Sequence, residues 1–292
     1  MTEFAESSVE REPASRIVVV PGARMRQDSD GFFHFPLISP DNRSSEMGMN
    51  PIEVSGGESK IAAVEVDFAP GTRVYVAGGN EVSLGRSRAD EMRVELNNKR
   101  GIPADSVVSI GKIGRTIGNA IDFVHHMQAH PWEFRGTRQI ELMENEYKML
   151  RAWLIFSMTL LKFTTGEDLH ISPHHKKSIE DILNKPPDIN DPKFYEKVRH
   201  DRQRIMRILS GYFDGKPGMV HVMPRYVEET LHSAGDGLIR DEATRRYGAM
   251  ILANSEVRKR TVGSEYHGLR DLLNGVHKGQ ELITHLQPLQ RL

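Results

Sequence analysis

The chain has 292 residues, 38% hydrophobic and 27% charged, with a net charge of −1 and no cysteine. Disulfides and thiolate chemistry are excluded, and the near-neutral balance gives no global attraction to nucleic acid or to an anionic membrane. No apolar run reaches the roughly 20 residues that cross a bilayer, and the longest candidate is Ala152 to Leu161.

The first fifteen residues, MTEFAESSVEREPAS, are acidic and polar. They lack the basic and apolar regions of a signal peptide and read as a disordered tail on a soluble, cytoplasmic protein. Residues 16–20, RIVVV, are continuous and β-branched. Such a run suits a strand buried on both faces of a parallel sheet. Pro21-Gly22-Ala23 ends it. Residues 24–56 are rich in Gly, Pro, Ser and Asn and read as a covering loop or a partly disordered segment.

Glu58 to Val66 suits a short helix. RVYVAGG (73–79) is a second strand, ending in a glycine pair. Ser87 and Asp90 are spaced as a capping box for a helix that buries Ala89, Met92 and Leu96. Gly101-Ile102-Pro103 ends that helix. VVSI (107–110) is a third strand, and GRTIGNA (114–120) leads out of it into a helix with Ile117, Ala120, Ile121, Val124 and Met127 on one face. RQIELME (138–144) is a fourth strand, followed by a helical run from Tyr147 to Leu161.

Four strand–helix alternations across 16–161 predict an α/β fold, a Rossmann-like doubly wound and mostly parallel sheet. The division expected is a core over 16–165 and a mostly helical region over 166–292. That region has helical patterns at 176–184 and 192–210 and a strand at 219–223. Pro224 is read as opening a helix that runs to about Leu231, and 239–285 as two helices broken near Gly263.

In doubly wound sheets ligands bind beyond the carboxyl ends of the strands. Gly22, Gly78-Gly79 and Gly114 with Gly118 all fall there. The succession strand-Pro-Gly, VYVAGG, RADEM, GIPADSVVSI, RTIGNA and ENEYKMLRAW resembles the YdcF/SanA/ElyC-like family of bacterial proteins. That family's pattern is a glycine-pair strand end, an Glu-Ala helix start, "GVP", "NTxENA" and "TSxxHxxRA". MVHVMPRYVEETL (219–231) is similar to the cytosolic YdcF branch. Thr116, Asn119, Ala120, Arg151 and Ala152 match, whereas Arg115, Gly118 and Lys148 replace the family's Asn, Glu and His, and its helix-opening Glu falls near Arg88. The resemblance implies a Rossmann-like core and S-adenosylmethionine as a candidate cofactor.

The residues themselves admit two readings at the start of the 116 helix. Thr116 can cap the helix and Asn119 bond the loop. Alternatively the free amides there can receive an anion, with Arg115 adding a bidentate contact. Gly78-Gly79-Asn80 can cradle a ligand, but no GxGxxG pattern occurs, so no nicotinamide cofactor is inferred. Glu144, Glu146, Lys148 and Arg151 crowd one strand end. Glu144, Glu146 and Lys148 are the candidate catalytic groups. Gly22, Gly78, Gly79, Asn80, Arg88, Arg115, Thr116, Asn119 and Arg151 are the candidate ligand-binding residues. His170, His174 and His175 flank Pro173 in a spacing unlike a zinc site, so no metal is expected. Trp132 and Trp153 suit a core, and Arg258-Lys259-Arg260 a solvated helix face. The function expected is binding, with or without group transfer or hydrolysis, of a small nucleotide-like or S-adenosylmethionine-like anionic ligand. The rival is a non-catalytic sensor or assembly subunit; no nucleic-acid or membrane partner is expected, and a homo-oligomer is left open.

Overall fold

A computed structural model describes residues 14–22, 26–27, 33–34, 51–81, 86–111, 115–188, 190–234 and 255–289. Residues 1–13 of the expected tail, most of 24–50, Gly114 and residues 239–254 lie outside them, and residues 51–56 of the expected loop are helical.

Five parallel strands form the central sheet: β1 (Arg16–Pro21), β2 (Thr72–Ala77), β3 (Val107–Ile110), β4 (Gln139–Glu144) and β5 (His221–Tyr226). Their spatial order is β3-β2-β1-β4-β5. The chain steps outward from β1 to β3, then returns to build β4 and β5 on the other side of β1. This is the doubly wound arrangement, and its order reverses between β1 and β4. β1 runs in register with β2 from Arg16 opposite Thr72 to Pro21 opposite Ala77, and pairs with β4 through Val18 and Val19.

The expected run of branched residues is buried on both sides. Val18, Val20, Val74, Val76, Val107 and Met143 pack with Ile61, Met92, Val227 and Leu231 on one face. The helices there are α1 (Pro51–Asp67), α2 (Arg88–Val94) and α7 (Val227–Ala234). Ile17, Val19, Tyr75, Ala77, Ile140 and Leu142 face the opposite way. They meet α3 (Thr116–Ala129) and α4 (Glu146–Thr165). The same cluster includes Ile179 from α5 (Pro173–Leu183), Ile205 from α6 (Phe194–Ser210) and Leu269 from α8 (Ser255–Leu273). Leu286, beyond the short α9 (Glu281–Thr284), joins it too. Trp153 is in this cluster and donates its indole N–H to the Val222 carbonyl at 2.9 Å.

Several boundaries differ from the sequence reading for definable reasons. α1 begins at Pro51, seven residues before Glu58, because proline in a first turn needs no amide partner. Pro224 does not open a helix. It lies inside β5, opposite Leu142, and α7 starts at Val227. A proline is tolerated there because β5 is an edge strand. α8 passes through Gly263 unbroken; a single glycine costs a helix only about 1 kcal/mol relative to alanine. α2 runs on into a five-residue π-helical turn, Glu95–Lys99. Its cap is Ser87, whose Oγ accepts from the Asp90 amide. The box is not reciprocal, since Asp90 accepts from the Ser109 hydroxyl at 2.7 Å instead.

Candidate functional site

The strand ends β1, β2 and β3 meet at three glycines. A Cβ on Gly22 would stand 2.7 Å from the Ala77 carbonyl oxygen, and one on Gly111 would stand 2.7 Å from the Gly78 amide nitrogen. Gly111 also has φ +129°, a region open chiefly to glycine. A Cβ on Gly78 would lie 3.0 Å from Arg88 Cβ. The missing side chains are thus required by backbone packing of three neighbouring corners. Gly78 and Gly79 are buried, and their carbonyls accept from the Ala89 and Arg88 amides at 3.4 and 3.3 Å. Asn80 pairs with Ser87 in a two-residue antiparallel ladder.

α3 is entered without a side-chain cap. Its N-cap residue is the exposed Arg115, and Thr116 is the first helical residue. Asn119 is buried and its amide reaches the Arg115 carbonyl at 2.7 Å.

The other side of the switch point carries the dense polar chemistry. Glu144, the last residue of β4, is 3% exposed, and its Oε1 lies 2.6 Å from Lys60 Nζ of α1. Lys60 is itself 3% exposed and also donates to the Pro21 carbonyl at 3.0 Å. One ammonium group therefore bridges the carboxyl ends of β1 and β4, the two strands between which the sheet order reverses. Burial pushes the Lys60 ammonium below its ordinary range, with Lys148 acting the same way and Glu144 opposing.

Asn145 follows at 1% exposure. Its amide donates to Glu144 Oε1 at 2.9 Å, and its Nδ2 donates to Ser59 Oγ and to Glu228 Oε1, each at 3.3 Å. Glu228, in the first turn of α7, accepts the Glu146 amide at 2.9 Å. Glu146 itself pairs with Arg199 of α6 at 3.1 Å. Arg151, one turn into α4, pairs with the buried Glu265 of α8 at 3.0 Å. A Cβ on Gly268 would stand 2.7 Å from Arg151 Nη1, so that glycine leaves room for the guanidinium. Burial pushes Glu265 upward, and Arg151, Lys148 and Arg202 oppose it.

The structure thus gathers Glu144, Glu146, Lys148 and Arg151 around the start of α4, and Gly22, Gly78 and Gly79 along the same rim. Ser59, Lys60, Glu228 and Glu265 belong to the cluster and were missed. Lys60 had a signal: it lies four residues before Val64, on the face that α1 buries. Glu228 had none, because an acidic first turn reads as a dipole complement.

A second buried network lies elsewhere, against the face of β2 toward α3. Tyr75 donates to Glu133 Oε2 at 2.7 Å, with His126 Nε2 and Arg73 Nη1 at 3.5 and 3.6 Å from the same oxygen. The ring of His126 stacks on His130 at 4.2 Å. His175, from the other histidine group, contacts the Tyr212 hydroxyl at 2.8 Å. Among the described residues, no group of three or more His, Asp or Glu is placed to hold a metal ion, and no helix is long and apolar enough to cross a membrane.

Fold and cluster define a doubly wound α/β protein with a polar switch point. Family models, curated proteins and solved structures yield no match to the chain.

Proposed function

We propose that this protein binds a small nucleotide-like or S-adenosylmethionine-like molecule at the carboxyl edge of the sheet, over the β1–β4 reversal. One observation carries the reading: a buried lysine, Lys60, joins the last carbonyl of β1 to the last carboxylate of β4. Lysine is almost never fully buried unless paired, and even a paired one repays its desolvation poorly. Here it lies where open α/β sheets hold their ligands. The likeness of the sequence motifs to the YdcF-type family supports the same reading.

If the ligand is transformed, group transfer or hydrolysis at a carboxylated or phosphorylated centre fits the polar groups present, with Glu144, Glu146 and Lys148 the candidate participants. A second reading, a sensor that holds its ligand intact, is favoured by a specific observation: Glu144 and Glu146 are both engaged in ion pairs, with Lys60 and Arg199. A committed base is a poor proton acceptor until a ligand frees it.

The test is thermal stabilisation by a panel of S-adenosylmethionine, adenine nucleotides and sugar phosphates. A ligand at about 100 times its dissociation constant adds roughly 2.7 kcal/mol. Turnover of a stabilising ligand supports the enzyme, and its recovery unchanged supports the sensor. Lack of stabilisation by every compound counts against both.

A further inference from the structure

The outer face of α6 carries a line of basic side chains. Lys193, Lys197, His200, Arg204 and Arg207 recur at steps of three and four residues, and all are exposed. Such steps keep side chains on one face of a helix. This face lies away from Phe194, Val198, Ile205 and Leu209, which the core buries. At 1.5 Å per residue the line is about 21 Å long. Lys197 pairs with Asp191, and Arg199, which lies off the line, pairs with Glu146. Among the described residues, Lys193, Arg204 and Arg207 form no ion pair.

The amino-terminal end of the line opens on a cleft of about 450 Å³. Lys193, Lys197 and His200 line it together with Lys185, Glu196 and Asp201. Asp201 accepts from the Tyr266 hydroxyl of α8 at 3.4 Å. The cleft therefore offers ammonium donors, carboxylate acceptors and an imidazole ring beside a track of positive charge.

We propose that this face of α6 binds single-stranded nucleic acid, with phosphates along the line and one base in the cleft. A strand carries one negative charge per nucleotide, and Lys and Arg neutralise it with release of counterions. An unstacked base presents N–H donors to Glu196 and Asp201, ring acceptors to the lysines and a π-face to His200. An acidic peptide fits less well, because its carboxylates would meet those of Glu196 and Asp201. A duplex keeps its bases stacked and would leave the cleft unfilled. The chain's net charge of −1 exerts no long-range pull, so the attraction is local to this face. It is separate from the ligand at the switch point.

The test is fluorescence anisotropy of a labelled single strand of about 12 nucleotides, titrated with the whole protein between about 50 and 200 mM salt. Arg204→Glu combined with Arg207→Glu is expected to weaken binding at least about tenfold at the lower salt. It should also flatten the slope of log affinity against log salt by roughly 1.4, about 0.7 for each lost phosphate contact. Arg135→Glu combined with Arg138→Glu makes the same change of net charge at exposed positions elsewhere and is expected to leave binding unchanged. An abasic strand of the same length is expected to bind the wild-type protein about tenfold more weakly, and His200→Ala to narrow that difference. Absence of binding by the wild-type protein overturns the proposal. So does equal binding by the Arg204 and Arg207 variant, or equal binding of the abasic strand. Polyglutamate bound as tightly as the strand overturns it in favour of an acidic protein partner. Should the reversed variant lose its cooperative melting transition, Arg204→Gln with Arg207→Gln takes its place, with the same flattening expected.

Discussion

Lys60 and Glu144 form an ion pair at 2.6 Å with side chains only 3% and 5% exposed, and it spans the two strands where the sheet reverses. Burying such a pair is costly, and removing one partner is costlier, because the other charge is left without compensation. Lys60→Met is expected to lower stability by about 3–5 kcal/mol. Lys60→Met combined with Glu144→Leu is expected to recover most of that loss. Urea denaturation of the single and double variants measures both, and additive losses would contradict a coupled pair.

Arg151 and Glu265 form the comparable contact between α4 and α8. Arg151→Ala leaves a buried carboxylate and is expected to destabilise by about 3 kcal/mol. Gly268→Ala displaces the guanidinium and is expected to cost about 1 kcal/mol. In Arg151→Ala nothing remains to be displaced, so the Gly268 change turns from a cost into a gain of up to about 1 kcal/mol of helix propensity. A double-mutant cycle reads this directly. Loss of ligand affinity without loss of stability in Arg151→Ala would instead place that side chain in the ligand site.

The corner of the three glycines makes a prediction about backbone. Gly22→Ala and Gly111→Ala each press a methyl group against main-chain atoms at 2.7 Å. Main chain cannot step aside as a flexible side chain can. Each variant should lose about 2–3 kcal/mol. Gly101→Ala meets no atom within 4 Å, and its cost comes only from its φ of +70°, about 1 kcal/mol. Melting temperatures of the three variants rank them.

Glu133 gives the stability a defined acid dependence. Burial acts to raise its carboxyl, yet His126 and Tyr75 outweigh burial and hold it at about 2, below the ordinary 4.5. A folded value below the unfolded one means stability that is complete above the unfolded value and is lost as pH falls through the folded one. Between pH 4.5 and 2 the wild-type protein should therefore lose stability more steeply than Glu133→Gln. Urea midpoints across that interval test it, and parallel slopes would show that Glu133 is not held low.

Much of the architecture was legible. RIVVV, RVYVAGG and VVSI announced buried parallel strands because β-branched runs without alternation suit a sheet covered on both faces. Ser87 announced the start of α2 through its hydroxyl. Both signals are local, so they can be read from neighbours in sequence. The site was legible only in part. Glu144, Glu146, Lys148 and Arg151 stood out because they crowd one strand end. Their partners lie far off in the chain: Lys60 is 84 positions before Glu144, and Glu265 is 114 positions after Arg151.

What the order of residues determined alone was the alternation of strands and helices, the two-sided burial of the sheet and the glycine corners at Gly22 and Gly78; the third corner, Gly111, came from the structure. The tertiary structure alone decided the strand order β3-β2-β1-β4-β5, the passage of β5 through Pro224 and the partners of each charge. The physical reason is range. Periodicity and capping act over a few residues, whereas the pairing of a buried cation with a carboxylate depends on which helices the crossovers bring together. A lysine in an apolar run and a glutamate ending a strand become one site only when α1 is folded against the carboxyl end of β4.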